Sequence, residues 1–376
     1  MAANVPSNMD PIEIAIINCC QSDAIEENGK RKPGKFHVKL DYEPMNLMTT
    51  NLGIYDQGQT LELVELSDNS GFDSISLGVV LGYAMEYNDR RDRGEPGEKI
   101  LGGIDRAASE LAAGADAFDA ASRGILTTDN GPKTMAAEMN CGGVSCQLAG
   151  MAKGAAMIGP NMATMLAVFL TDAAIGADDA QQALKDAVDE SFNCISVEGH
   201  TSTNDTVLLF ANGAAGGDPL VGDDLQSFRN KLSEGCLQLA KMIPDDGEGS
   251  SHLVKVEVLG AENDEGARQI ACTVANSNLV KTGIAGCDPN WGRIISAVGY
   301  AGVPLQTARL GLELNGITLF KDGAPVPFDE QQAIESMRRS REVHIKLVLG
   351  AGPGRACFWT SDLTVDYVTF NSDYHT

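Results

Sequence analysis

The triplet Gly159-Pro160-Asn161, set directly before an apolar run, constrains the folding of this chain more than any other feature. Proline fixes its own φ and carries no amide hydrogen, so Gly159-Pro160 makes a turn. The turn leaves Thr164 at the head of a strand-like segment, Met165 to Phe169. A threonine hydroxyl is a weak nucleophile without a base beside it. One chemical solution cuts the chain before the threonine, so that its own α-amine becomes the base. Such an amine has a pKa of about 7.7–8, against roughly 10.4 for lysine, and takes a proton near neutral pH. Standing alone, Thr164 reads as an ordinary strand threonine, because short motifs match by chance. The rest of the sequence reverses that reading.

Lys-Gly-x-x-Met-Ile-x-Pro-Asn-Met-Ala-Thr-Met-Leu begins at Lys153 and runs through Thr164. Upstream stand Thr127-Thr128-Asp129 and Pro132-Lys133. Downstream, in order, come Ser196-Val197-Glu198-Gly199, Ser202-Thr203-Asn204-Asp205-Thr206 and Asp246-Gly247-Glu248-Gly249. Then follow Ala275-Asn276-Ser277, Leu279-Val280-Lys281-Thr282 and Asp288-Pro289-Asn290-Trp291-Gly292-Arg293. Trp359 to Thr364, Asp366-Tyr367-Val368 and Asn371 to Thr376 close the chain. This ordered set resembles the ornithine acetyltransferase (glutamate N-acetyltransferase) family of arginine biosynthesis, from about residue 98 to Thr376.

The resemblance implies self-cleavage between Ala163 and Thr164, followed by a two-step transfer. Thr164 takes the acetyl group from N2-acetylornithine and passes it to glutamate, with no dissociable cofactor. Acetyl-CoA is the alternative donor that the sequence leaves open. Family analogy makes Thr127, Lys153, Thr164, Glu248, Asn371 and Thr376 substrate contacts. Their chemistry suits the part: Lys153 offers a cation to a carboxylate and Glu248 an anion to an amine. Thr127, Asn371 and Thr376 offer neutral hydrogen bonds. Outside that frame the two charges read as solvated surface groups, Asn371 as a loop residue and Thr376 as a frayed end. The implied product is an α/β pair of chains, assembled as a heterotetramer.

A length of 376 residues leads us to expect about two domains. A net charge of −24 argues against nucleic acid as a partner, because phosphate binding needs a basic face. No secretory signal or membrane span is visible, since the apolar run from Ile75 to Met85 is broken by Gly78 and Gly82. Nine cysteines without a Cys-x-x-Cys pair, and five histidines without ligand spacing, suggest neither zinc nor a disulfide frame. The expected compartment is the cytoplasm.

From Glu98 onward, helices and strands alternate, giving an α/β (α+β) reading with mixed sheets. Ile100, Ile104 and Leu111 share one helical face. Asp178 or Asp179 is expected to cap a helix burying Ala180, Leu184, Ala187 and Ser191. Leu225, Phe228, Leu232 and Leu239 mark a further helix, expected to end before Pro244. Val254, Val256 and Val258 alternate with Lys255 and Glu257, as in a half-buried strand. Asn315-Gly316 and Asp322-Gly323 signal hairpin turns. Gly350 to Gly354 reads as a strand-linking turn, because no phosphate-loop lysine follows.

Residues 12–91 depart from this pattern. Tyr42-Glu43-Pro44, Asn51 to Asp56, Asp68 to Ser76 and Gly82 to Glu86 resemble part of the aldehyde ferredoxin oxidoreductase family, which binds a metal–pterin. Iron–sulfur ligation needs several spaced cysteines, and only Cys19-Cys20 stands there. The preferred reading is a non-functional fragment over 1–97, then an N-terminal remainder over 98–163 and a C-terminal chain over 164–376. The acetyltransferase resemblance also implies a Thr-Gly oxyanion pair ahead of the Lys99-Ile100-Leu101 helix. That place holds Asn88 to Gly97 instead, so impaired activity is expected.

Overall fold

The computed structural model describes residues 112–159, 165–200 and 205–373. The proposed fragment at 1–97, its boundary and the Ile100–Leu111 helix lie outside the described residues.

Among the described residues, two sheets carry the fold. In the first, β1 (Lys133–Cys141) and β2 (Val144–Lys153) form a hairpin closed at Gly142-Gly143, where φ is 62° and 82°. Those left-handed angles suit glycine, which has no Cβ to clash. β2 pairs antiparallel with β3 (Leu166–Thr171), and β3 pairs parallel with β5 (Thr206–Ala211). A parallel pair needs a long crossover. Here it holds α2 (Ala177–Asp189) and the short β4 (Ile195–Ser196).

The second sheet has seven strands, in the order β4-β11-β6-β10-β7-β8-β9. Within it β6 (Leu253–Ala261) runs parallel to β10 (Glu342–Val348) and antiparallel to β11 (Gly354–Ser361). The sheet continues through β7 (Gly311–Leu314), β8 (Ile317–Lys321) and β9 (Ala324–Pro325). The long helix α3 (Gly222–Asp245) touches β1 and β2 of the first sheet and β4 and β11 of the second. Its Phe228, Leu232, Cys236, Leu239 and Ile243 are wholly buried, so one helix serves two sheets. Preceding these elements is α1 (Ala115–Gly124). α4 (Asp264–Ala275) covers β6 and β11, followed by α5 (Asn278–Ala285) and α6 (Trp291–Gly299). α7 (Glu330–Arg338) precedes β10, and α8 (Val365–Asp373) follows β11.

The mixed-sheet α/β reading holds, as do the Val254–Val258 strand and both turns. Asn315 and Gly316 take φ of 48° and 80°, and Asp322 and Gly323 take 48° and 77°. The link from Leu349 to Gly354 is a turn, with the Ala351 and Gly352 amides donating to the Gly260 carbonyl. Two expectations fail. Neither Asp178 nor Asp179 caps α2: Gly176 holds the cap position with no side-chain bond, and both acids sit in the first turn. Acids there interact favourably with the helix dipole without capping. The buried face is Ala183, Ala187 and Val188, with Ala180 and Leu184 only partly covered and Ser191 buried beyond the helix end. Nor does α3 stop before Pro244, which lies inside its last turn. Placed there, proline removes one terminal hydrogen bond instead of breaking the helix in its middle.

Close approach of α3 to the first sheet depends on two residues without side chains. A Cβ at Gly150 would stand 2.7 Å from the Phe169 ring, and one at Gly235 would stand 2.7 Å from Met135 Cε. The Met135 end can swing aside, whereas Phe169 is fully buried and edge-packed on Phe192 at 6.5 Å. Gly150→Ala should therefore destabilise the protein by about 1–3 kcal/mol through overpacking. Gly299→Ala, which meets nothing within 4 Å, is the control and should change stability by less than about 0.5 kcal/mol. Denaturant midpoints of the two variants check this; equal midpoints would contradict it.

Candidate active site

The site starts from a buried lysine. Lys133 opens β1 at 2% exposure, and its Nζ lies 2.6 Å from both Asp129 Oδ1 and Asp246 Oδ2. Asp129 also accepts from the Gly154 amide at 2.7 Å and the Thr127 amide at 3.2 Å. Asp246 accepts from Asn130 Nδ2 at 2.8 Å and from the Asn130 amide at 3.0 Å. Burial pushes the Asp129 carboxyl up, but Lys133 and the two amides outweigh it and hold its pKa below the usual value. One cation thus ties together the loop before β1, the end of β2 and the end of α3.

That tie fixes two backbone segments that carry opposite charges. Lys153 ends β2 one residue before Gly154 and is 8% exposed. Glu248, also 8% exposed, follows Asp246 by two residues, and its amide donates to the Ala155 carbonyl at 3.0 Å. Asn371 Nδ2 donates to Glu248 Oε2 at 3.0 Å and to the Tyr367 carbonyl at 3.1 Å. Helix α8 reaches this position because Gly249, at φ 64°, carries nothing: a Cβ there would stand 2.5 Å from the Tyr367 nitrogen. Burial, with the charges of Glu198 and Glu248, pushes the Tyr367 phenol up to about 12. The structure therefore brings Lys153, Glu248 and Asn371 to one region. Thr127 is exposed and joins them through Asp129. Ala163, Thr164 and Thr376 lie outside the described residues.

Residues flanking Thr164 are held on both sides. On the upstream side, Ile158 donates its amide to Glu198 Oε1 at 2.9 Å. Its carbonyl accepts from the Val197 and Gly199 amides at 2.9 and 3.0 Å. Met157 takes a left-handed φ of 55°, a conformation that costs a methionine energy. A Cβ at Gly159 would stand 2.7–2.9 Å from the Gly199–His200 backbone, so glycine is required there by contact. Downstream, the Met165 amide donates to Asp205 Oδ1 at 2.6 Å, and its carbonyl accepts from the Thr206 amide at 3.0 Å.

Behind Glu198 lies a further buried lysine. Lys281 Nζ donates to the Val197 carbonyl at 2.6 Å, to Thr360 Oγ1 at 2.8 Å and to the Ser361 carbonyl. Burial lowers its pKa to about 7, against the opposing pull of Asp362 and Glu198. Burial also raises Glu198 to about 7 and Asp205 to about 6. Ser251, His252 and Asp362 form a further cluster, but Ser251 Oγ and Asp362 Oδ2 both address His252 Nδ1, each at 2.9 Å. A serine-activating histidine needs the two partners on opposite ring nitrogens, so this cluster is a brace and not a hydrolytic triad.

Sequence reading missed Glu198, Asp205, Lys281, Lys133 and Asp129 as parts of the site. Each stands inside a block that carries the resemblance. Spacing gives no sign that a carboxylate will bond a backbone amide 40 residues away, as both Glu198 and Asp205 do. Among the described residues no cluster of His, Cys, Asp and Glu has the arrangement of a metal site, and no helix is long and apolar enough to cross a membrane.

Comparison with known proteins adds the following. A family model described as the ArgJ family matches residues 94–376. The arginine biosynthesis bifunctional protein ArgJ of Rhodopirellula baltica is 46% identical over 284 residues, covering 75% of this chain and 69% of the relative. The protein of that name from Parasynechococcus marenigrum is 36% identical over 369 residues, covering 97% of this chain and 85% of the relative. The crystal structure of the ArgJ protein from Bacillus halodurans superposes with a TM-score of 0.53 at 40% identity, covering 54% of this chain and 96% of that one.

The raised pKa of Glu198 has a consequence for stability. Its folded value of about 7 lies above the ordinary 4.5. The group therefore favours the folded state below about pH 4.5, and that contribution is lost as pH rises through about 7. At about 1.36 kcal/mol per unit the loss is at most about 3 kcal/mol, reduced by partial solvent access. Glu198→Gln removes it. Denaturant unfolding at pH 5 and pH 8 should show the variant gaining on wild type at the higher pH. A stability difference that is the same at both pH values would contradict the assignment.

Proposed function

Because the chain belongs to the ArgJ family, we propose that it transfers an acetyl group from N2-acetylornithine to glutamate through Thr164, after cutting itself between Ala163 and Thr164. The observation that carries this reading is the pair of opposite buried charges, Lys153 and Glu248, joined along the chain by the bond from the Glu248 amide to the Ala155 carbonyl. Donor and acceptor share an amino-acid backbone, and fixed groups of both signs suit a pocket that must take each in turn.

In the first step Thr164 Oγ attacks the Ala163 carbonyl carbon. The acyl group moves from nitrogen to oxygen, which frees the threonine amine, and water then hydrolyses the ester to release the Ala163 carboxylate and the threonine hydroxyl. That amine then serves as base while Oγ attacks the acetyl carbon of N2-acetylornithine. The C–N bond breaks, ornithine leaves with the proton, and the glutamate amine attacks the acetyl-threonine ester to regenerate the hydroxyl. No cofactor enters this scheme, and acetyl-CoA is the alternative donor. Lys153 binds a substrate carboxylate, while Glu248, held by Asn371, binds an amine; Thr127 and Thr376 complete the contacts. The cut leaves an α/β pair, which we place in the cytoplasm as a heterotetramer.

Family membership favours this reading over a metal–pterin oxidoreductase fragment. The place where the resemblance implies the Thr-Gly oxyanion pair holds Asn88 to Gly97 instead, outside the described residues. Loss of one aimed donor lowers turnover by about 10²–10³, and turnover reduced to that degree is part of the proposal.

A denaturing gel tests the cleavage. Wild-type protein should run as pieces of 163 and 213 residues, and Thr164→Ala as one band of 376. Wild-type protein that remains one band after days at neutral pH would overturn the reading.

A further inference from the structure

Ile158 and Met165 stand on either side of the Ala163–Thr164 bond, and their neighbours form a matched pair. Glu198 Oε1 accepts the Ile158 amide at 2.9 Å, and Asp205 Oδ1 accepts the Met165 amide at 2.6 Å. Both contacts join residues 40 apart in sequence. The parallel pairing of β3 with β5 has that same offset at Leu166↔Thr206. Residues 158–165 and 198–205 are therefore equal lengths of chain, fastened to each other at both ends by a carboxylate. The carbonyls are fastened as well, Ile158 by the Val197 and Gly199 amides and Met165 by the Thr206 amide. Both backbone groups of each flanking residue are thus engaged.

The second oxygens of the same two carboxylates, Glu198 Oε2 and Asp205 Oδ2, are buried without a hydrogen-bond partner among the described residues. Burying half of a carboxylate without a partner is unfavourable, and a fold tolerates it where the group serves another purpose. Here the arrangement occurs twice, once at each end of the same short segment. Glu198 faces Lys281 on α5, Glu248 in the turn after α3 and Tyr367 on α8; Asp205 faces Lys153 at the end of β2.

We propose that Glu198 and Asp205 are positioning residues for self-cleavage, gripping the amides of Ile158 and Met165 so that Thr164 meets the Ala163 carbonyl. This rests on the Thr164 reading above and adds to it the two side chains that hold the reacting segment at its ends. An intramolecular attack requires the nucleophile within contact distance of the carbonyl, and misplacement by about 1 Å costs about 10²-fold in rate. The part played is that of a hydrogen-bond acceptor. A carboxamide, which retains a carbonyl oxygen in the same position, preserves it.

The test is a pulse-labelled cell-free synthesis of the full chain, with the uncut fraction followed on a denaturing gel. Asp205→Ala should cut about 10²-fold more slowly than wild type, whereas Asp205→Asn should stay within about tenfold. Glu198→Met and Glu198→Gln should divide in the same way at the other end. Melting of each variant in the uncleavable Thr164→Ala background separates slow cutting from loss of fold. If Asp205→Ala does not fold, the Glu198 pair decides by the same criterion. Alanine or methionine variants that fold and cut at the wild-type rate overturn the proposal. Carboxamide variants as slow as their apolar counterparts also overturn it, because the charge and not the grip would then matter. A wild-type chain that stays whole fails earlier, at the Thr164 reading itself.

Discussion

The salt bridge of Lys133 to Asp129 and Asp246 is the interaction on which the site depends. Its ammonium is 2% exposed and meets two carboxylates at 2.6 Å. Removing one partner from a buried ion pair typically costs about 3–5 kcal/mol, because the remaining charge is stranded. Here two carboxylates would be stranded at once. The same contacts hold Gly154, next to Lys153, and Asp246, two residues before Glu248. The positions of Lys153 and Glu248 thus depend on a third, buried charge.

A second principle is the use of side chains where a sheet would use backbone. β3 and β5 form a parallel ladder from Leu166↔Thr206 onward. At the next position toward Thr164, Asp205 supplies its carboxylate to the Met165 amide. A carboxylate is a stronger acceptor than a peptide carbonyl, and it carries a charge whose energy depends on burial. Burial raises Asp205 to about 6 and Glu198 to about 7, so the two carboxylates that hold Met165 and Ile158 are electrostatically costly at neutral pH. Met157, at φ 55°, adds conformational strain to the same stretch. Strain at Met157 and the desolvated carboxylates of Glu198 and Asp205 thus act on the chain at residues 157, 158 and 165.

The sequence told much of the fold where a local rule operates. Val254, Val256 and Val258 alternate because β6 is half-covered, and Asn315-Gly316 turns because both residues accept positive φ. It misled where two local rules compete. Pro244 should stop a helix, yet it rides in the last turn of α3, where little remains to be broken. Asp178 and Asp179 looked like caps but stand two and three residues after the cap position at Gly176. In the site, Lys153, Glu248 and Asn371 were legible through motif resemblance, and the fold does bring Glu248 and Asn371 into contact. Glu198, Asp205 and Lys133 were not: the first two bond amides 40 residues away, Lys133 has its second partner 113 residues away, and nothing in a linear pattern encodes such pairings.

The central claim is that Thr164 carries the acetyl group between the two substrates, and the most direct measurement is the intact mass of the C-terminal piece. Cleaved protein given N2-acetylornithine alone, then freed of unbound substrate, should show one added acetyl group on the 213-residue piece. Subsequent glutamate should remove it. A C-terminal piece whose mass is unchanged by N2-acetylornithine, in a preparation that still transfers acetyl groups to glutamate, would contradict the account.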